Sequence, residues 1–389
     1  MDFNKELGNA IPEKVREVRI EGGSLEDLRK TMSEEAIKSL QAKALSAFEG
    51  VLPTDFASSS NSAPPIKPET PSESPKASDT VTDRIKNNEH VSLVIRQGQC
   101  PGDILVLTAA VRDLKKKFPN LTIRMKTTAH EIWENNPHIS EYGPENSFDP
   151  MGSDLDIKLG YPLINKANSC GKHFIHGFKE ELENQLNVSF DITDFKCDVH
   201  LSEEEKGWRN QVHDDFNYSG KFWVINSGSK DDFPLKQWSR VRWQEVVDAL
   251  RGKVQFVQVG GEGHLHEPLK GVFNLLGKTS IRQLVRLCYH AQGAVCHTTM
   301  LNHLMSAWKK PCVVVAGGRE SSSWESYNET TFLHTVGALP CCKTGGCWKS
   351  TQDECPRMEG DYAKCMNMIT SADVVRAIER YYVGGSLSP

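Results

Sequence analysis

The sequence predicts an α/β protein built from two Rossmann-like, doubly wound domains, and three observations predict it. Short apolar strands alternate with amphipathic helices in two successive series. Glycine-rich turns follow the strands of both series. The chain has 389 residues, whereas single hydrophobic cores stop growing at roughly 250 to 300 residues.

Taken in order, residues 1–52 read as a helical appendage. Ser24 and Ser33 stand as N-caps, with Glu26, Asp27, Glu34 and Glu35 in the first turns after them. Residues 53–89 are rich in Ser, Thr and Pro, and Pro64, Pro65, Pro68, Pro71 and Pro75 interrupt any regular pairing, so this stretch reads as a disordered linker. The first domain then spans residues 90–215. It opens with a strand at 91–96, a glycine loop at 97–103 and a helix from about 104 to 118 that Pro119 and Asn120 end. A second strand at 121–126 closes a right-handed parallel unit. A strand at 155–159 and a helix at 174–186 continue the pattern.

The second domain, residues 216–389, repeats it. A strand at 222–226 leads into the loop Ser227-Gly228-Ser229 and a Trp-bearing helix from about 241 to 251. Strands at 254–259, 293–296 and 312–316 alternate with helices at 281–290 and 301–308, and two of the strands end in Gly260-Gly261 and Gly317-Gly318. In doubly wound sheets ligands bind beyond the carboxyl ends of the strands, where glycine loops and helix N-termini gather.

Charge and composition narrow the partners. A net charge of -5 and a pI near 6.2 supply no basic field for nucleic acid or an anionic bilayer, so a nucleic-acid partner is unsupported. No apolar run approaches the roughly 20 residues that span a bilayer, and residues 1–23 are charged throughout rather than basic and then apolar. The expectation is a cytoplasmic protein with no membrane span, and the appendage is the natural candidate for oligomerisation or docking.

Several residues at the strand ends could carry chemistry. Asp103 follows Gly102 at a helix start, where a carboxylate either serves catalysis or simply complements the helix dipole. Ser227, Ser229 and Lys236, with Thr298 and Thr299 opening a helix that contains His303, suit a diphosphate, because backbone amides at a helix N-terminus bind phosphate without a metal. Singly these are equally readable as a surface lysine, an N-cap and a core histidine. Glu262, in Gly260-Gly261-Glu262-Gly263, could accept from ribose hydroxyls.

Five of the 11 cysteines, Cys341, Cys342, Cys347, Cys355 and Cys365, fall in the segment 340–366. In a reducing compartment such clustering points to thiolate ligation before disulfides, with free thiols as the alternative. Four thiolates favour iron or zinc and leave no open position, so Cys342, Cys347, Cys355 and Cys365 are expected to hold one structural ion, Cys341 being able to replace Cys342. No catalytic divalent metal is required.

The run of 14 residues from Gly102-Asp103-Ile104, the Lys236-Gln237-Trp238 element and the Thr298-to-His303 helix start together resemble the heptosyltransferase family of bacterial glycosyltransferases, over about residues 90–385. The resemblance implies the GT-B fold, with Asp103 as general base, Lys236 and Thr299 on the donor phosphates and Glu262 on the ribose. The cysteine-rich tail is most similar to the autotransporter heptosyltransferases, which bind iron through cysteines. Two departures stand out. Thr298-Thr299-Met300 replaces the Asp-Thr-Gly of the lipopolysaccharide enzymes, removing a carboxylate that grips the donor sugar, and Gly317-Gly318-Arg319-Glu320 alters the last glycine loop, where Arg319 or Glu320 can replace that contact.

The reading is therefore an inverting glycosyltransferase that moves a sugar, heptose from ADP-heptose first, to a protein or glycan hydroxyl. Its rivals are a sugar-nucleotide epimerase of the same fold and a non-catalytic nucleotide-binding scaffold.

Overall fold

The strands at 293–297 and 312–317 are buried at every residue, which suits a parallel sheet covered by helices on each side. The computed structural model describes residues 78–147, 152–163, 170–208, 211–229, 234–265, 267–343, 345–347, 355–383 and 386–387. The expected appendage at 1–52 and most of the expected linker lie outside the described residues. The linker was expected to reach residue 89, but helix α1 (Asp79–Lys86) occupies its last part. The reason is local: Ser78 caps the helix by accepting from the Val81 amide at 3.4 Å, Ile85 is buried, and the Thr82 hydroxyl donates to the Leu186 carbonyl at 3.0 Å.

The first sheet comprises β1 (Val91–Gln97), β2 (Leu121–Thr127), β3 (Glu141–Gly143) and β4 (Leu155–Lys158), all parallel in the order β3-β2-β1-β4. Helices α2 (Pro101–Lys117) and α3 (Phe174–Leu186) pack with it, and α2 buries an unbroken run from Ile104 to Leu114. Pro101 suits the first helical turn, where its missing N–H costs nothing. Two short helices, α4 (Glu203–Gly207) and α5 (Gln211–Phe216), lead out of this domain.

The second sheet is wholly parallel and runs β10-β9-β8-β5-β6-β7. Its strands are β5 (Phe222–Asn226), β6 (Gln255–Gly260), β7 (Phe273–Leu276), β8 (Gly293–His297), β9 (Cys312–Gly317) and β10 (Thr330–His334). This is the doubly wound order, and it reverses between β5 and β8, so the crevice beyond Asn226 and His297 is where a ligand is expected. Around it lie α6 (Arg240–Ala249), α7 (Ile281–His290), α8 (Met300–Ala307), α9 (Ser322–Glu325), α10 (Lys364–Asn367) and α11 (Ser371–Glu379).

Both sheets belong to one compact unit, so two facing Rossmann-like domains, the fold expected from the sequence, are observed. No described helix is long and apolar enough to cross a membrane. Strands β3, β7 and β10 and helix α11 were not foreseen; β3 and β7 are only three and four residues long, too short for a periodicity to register.

Candidate functional site

A cleft of about 520 Å³ opens where the carboxyl ends of both sheets meet, with Asp103 and Tyr161 on the first-domain side and Lys236, Thr298, Thr299 and His303 on the other. Two helix N-termini converge in it. A Cβ on Gly102 would stand 3.3 Å from His303 Cδ2 and 3.7 Å from the Met300 Cα, so only glycine lets α2 and α8 come this close without a shift.

The two termini differ. On α2, the Asp103 carboxylate accepts from the Cys100 amide at 3.1 Å, forming a capping box. On α8, the N-cap residue Thr299 makes no side-chain cap bond, and its buried hydroxyl oxygen has no hydrogen-bond partner. Orphan donors of this kind at a helix start are satisfied by an anion.

Lys236 is aimed at this point by its neighbours. It ends a 3-10 turn (Pro234–Lys236), and two residues later Trp238 is buried, packs edge-on against Trp243 with centroids 4.8 Å apart, and donates its amide to His297 Nε2 at 3.0 Å. Lys236 Nζ then donates to the Thr298 carbonyl at 3.2 Å and pairs with Glu320 Oε1 at 2.9 Å.

Glu320 also pairs with Arg319 at 3.0 Å. Burial opposes its ionisation, but Lys236 and Arg319 outweigh that and hold the carboxyl below its usual range. Glu325 stands in the opposite case. Burial, reinforced by the charge of Glu320, pushes it up to about 8, so it carries a proton at neutral pH, and its Oε2 has no hydrogen-bond partner. His303 shares a 2.8 Å hydrogen bond between Nδ1 and the Tyr327 hydroxyl, lies 3.9 Å from Glu325, and is held neutral, near 3, by burial and then by Lys236.

Of the residues the sequence nominated, Asp103, Ser229, Lys236, Thr298, Thr299 and His303 line the cleft. Ser227 and Glu262 stand outside its wall. The Ser227 hydroxyl accepts from Gln258 Nε2 at 2.9 Å, and Glu262 is exposed on the turn that precedes Gly263, at φ +74°. Sequence reasoning missed Tyr161, Asn226 and Glu325. Tyr161 and Asn226 had a usable signal, because each lies at the carboxyl end of a strand beside a reversal of strand order; Glu325 had none.

The cysteine segment packs behind the glycine loop after β9. A Cβ on Gly318 would meet Cys342 Sγ at 2.9 Å and Cys365 Cβ at 3.1 Å, and the Cys347 amide donates to the Gly318 carbonyl at 3.2 Å. Burial pushes the Cys365 thiol up to about 11, and the sulfurs of Cys347, Cys355 and Cys342 add to the effect. Among the described residues, however, these sulfurs do not form a group with all ligand atoms within 4.8 Å of one another; His138, Asp198 and His200 do.

Residues 171–347 match the family described as Glycosyltransferase family 9 (heptosyltransferase). That segment contains the second-domain cleft residues from Asn226 to Glu325, while Asp103 precedes it. No curated protein matches the sequence. Among solved structures, the chain is similar to a glycosyl transferase family 9 protein from Veillonella parvula, at 17% identity over 74% of this chain and 96% of that one with a TM-score of 0.56. It is also similar to the iron-containing dodecameric glycosyltransferase TibC from enterotoxigenic E. coli, at 16% identity over 75% of this chain and 76% of that one with a TM-score of 0.56. The same TibC in complex with ADP-D-beta-D-heptose matches at 14% identity over 75% and 76% of the two chains, with a TM-score of 0.54. At such identities the likeness is one of fold. Together with the family match over residues 171–347, it gives the chain a segment of the glycosyltransferase family 9 type carried on the fold that these structures share.

Proposed function

We propose that the protein transfers heptose from ADP-heptose, with inversion, to a hydroxyl of a protein or glycan acceptor. The observation that carries this is the uncapped N-terminus of α8, with the Thr299 hydroxyl unpartnered in the cleft that Lys236 and Asp103 also line. The acceptor hydroxyl gives its proton to the Asp103 carboxylate while its oxygen bonds to the anomeric carbon. The bond from that carbon to the diphosphate breaks, and the α8 terminus and Lys236 take up the charge that develops on the departing ADP. For Lys236 to meet phosphate, the donor shares it with Glu320 or displaces that carboxylate.

The family match and the ADP-heptose complex of TibC support heptose as the first donor. Glu320 and the protonated Glu325 supply carboxyl groups in the cleft wall where Thr298-Thr299-Met300 lacks one. A cytoplasmic location fits a nucleotide-sugar donor, and an oligomer is the assembly we carry over from TibC, which is dodecameric. Measuring turnover and product configuration with ADP-, UDP- and GDP-sugars tests the reading. Transfer from ADP-heptose with inverted configuration is expected, and nucleotide binding without transfer from any of them would overturn it.

The thiols fit a metal in chemistry, since several gather behind Gly318 and all are free of disulfides. Cys342, Cys347, Cys355 and Cys365 would hold iron or zinc, with Cys341 able to stand in for Cys342. A bound ion would supply structure only, fixing the loop that presents Arg319 and Glu320 to the cleft.

A further inference from the structure

We propose that His138, Asp198 and His200 form a second metal site, selective for a divalent transition ion and for zinc first, outside the cleft and independent of the cysteines. One ligand atom from each residue lies within 4.8 Å of the others. Asp198 Oδ2 is 2.9 Å from His200 Nε2 and 3.6 Å from His138 Nε2. The edge of a zinc tetrahedron with nitrogen and oxygen ligands is about 3.3 Å, between these two values. Two imidazoles and one carboxylate leave a fourth position for water, and the imidazoles, 19% and 32% exposed, keep an entry path open.

The surroundings favour ligation over a plain ion pair. The His138 contact exceeds hydrogen-bond length, so its nitrogen is not used up on Asp198. Burial holds His138 below its usual range, leaving the neutral imidazole a metal needs. The Arg112 guanidinium is the nearest competing cation, 3.9 Å from Asp198 Oδ1, but it is engaged by Asp113 at 2.7 Å and by the Lys196 carbonyl at 3.0 Å. Lys116, the other cation nearby, is half exposed and also faces Asp113. An outer shell is present: Asn136 Nδ2 reaches Asp198 Oδ2 at 3.4 Å and its carbonyl at 3.2 Å, and the Asp198 amide donates to Thr108 Oγ1 on α2 at 2.7 Å.

The position gives the ion a task. All three residues belong to the first domain, with Asp198 and His200 on its last segment, where the His200 carbonyl accepts from Arg282 of α7 at 2.9 Å. Bound metal would pin that last segment to the loop that carries His138.

The test uses the full chain, stripped by chelator and equilibrated with buffered zinc or cobalt. His138→Ala and His200→Ala should each lose one equivalent of zinc, along with cobalt bands that lack thiolate charge-transfer character, while any thiolate-bound metal is unchanged. Asn136→Ala should weaken that equivalent by about 10- to 100-fold. Asp198 is buried and Asp198→Asn could misfold, so His138→Ala, on a half-buried loop, decides. If that variant is folded by circular dichroism and keeps the wild-type stoichiometry, or if Cys365→Ser alone removes all bound zinc, the site does not exist.

Discussion

Two helix N-termini face one cleft and are finished in opposite ways. On α2 the chain supplies its own anion: Asp103 accepts from the Cys100 amide, behind a proline in the first turn. On α8 it supplies none, and the buried Thr299 hydroxyl is left without a hydrogen-bond partner. The same local device, a ring of unsatisfied amides with a partial positive charge, thus positions a carboxylate on one side and awaits a foreign anion on the other. A bare helix start in a sequence does not tell these apart; the side chains of its first turn do.

The largest expected effect is on the self-satisfied side. Asp103→Asn retains most of the cap geometry but cannot take a proton, so turnover should fall by about 10²- to 10⁴-fold in a steady-state assay. A fall of less than tenfold would reduce Asp103 to a helix cap. Next is the seam between the helices. Gly102→Ala places a methyl group 3.3 Å from His303, and forcing the termini apart should destabilise the protein by about 1 to 3 kcal/mol in denaturant unfolding, with a parallel loss of donor affinity. Unchanged stability would mean the two helices do not need this approach.

A smaller effect concerns pH. Folding holds a proton on Glu325 up to about pH 8, whereas the ordinary glutamate value is 4.5. Its contribution to stability is therefore complete below about 4.5 and is lost as the pH rises towards 8. Glu325→Gln should flatten that decline in thermal unfolding followed across the window, and an unaltered profile would remove the residue from the account. His303 acts in the other direction: its ring is held near 3 against an ordinary 6.5, so stability falls as the pH drops from 6.5 towards 3. The smallest effect is Thr299→Val, which removes only a neutral hydroxyl and should weaken donor binding by about 3- to 10-fold.

The contrast also explains what the sequence could and could not reveal. Asp103, Lys236 and Thr299 were legible as cleft residues because each sits within a residue or two of a glycine loop, an anchoring tryptophan or a strand end, and those signals are local. Trp238 fixes the aim of Lys236 through a bond to His297, more than 50 residues away, yet the Lys-Gln-Trp spacing already carried the hint. Glu262 read as a ribose ligand for the same local reason, and it lies exposed on a turn next to Gly261, which lines the cleft. Glu320 was legible as a loop residue, but its ion pair with Lys236 arises only when β8 packs between β5 and β9. Glu325 and the His138, Asp198, His200 group had no signal at all, since burial and a spacing of 60 residues do not show in composition or period.

The difference between the two helix starts is tested most directly by calorimetric titration of ADP into Asp103→Asn and Lys236→Ala side by side with the wild type. The account predicts wild-type affinity for Asp103→Asn and a loss of about 10- to 100-fold for Lys236→Ala, the range expected when a charged partner is removed from a phosphate. Undiminished binding by Lys236→Ala, or a comparable loss in Asp103→Asn, would contradict it.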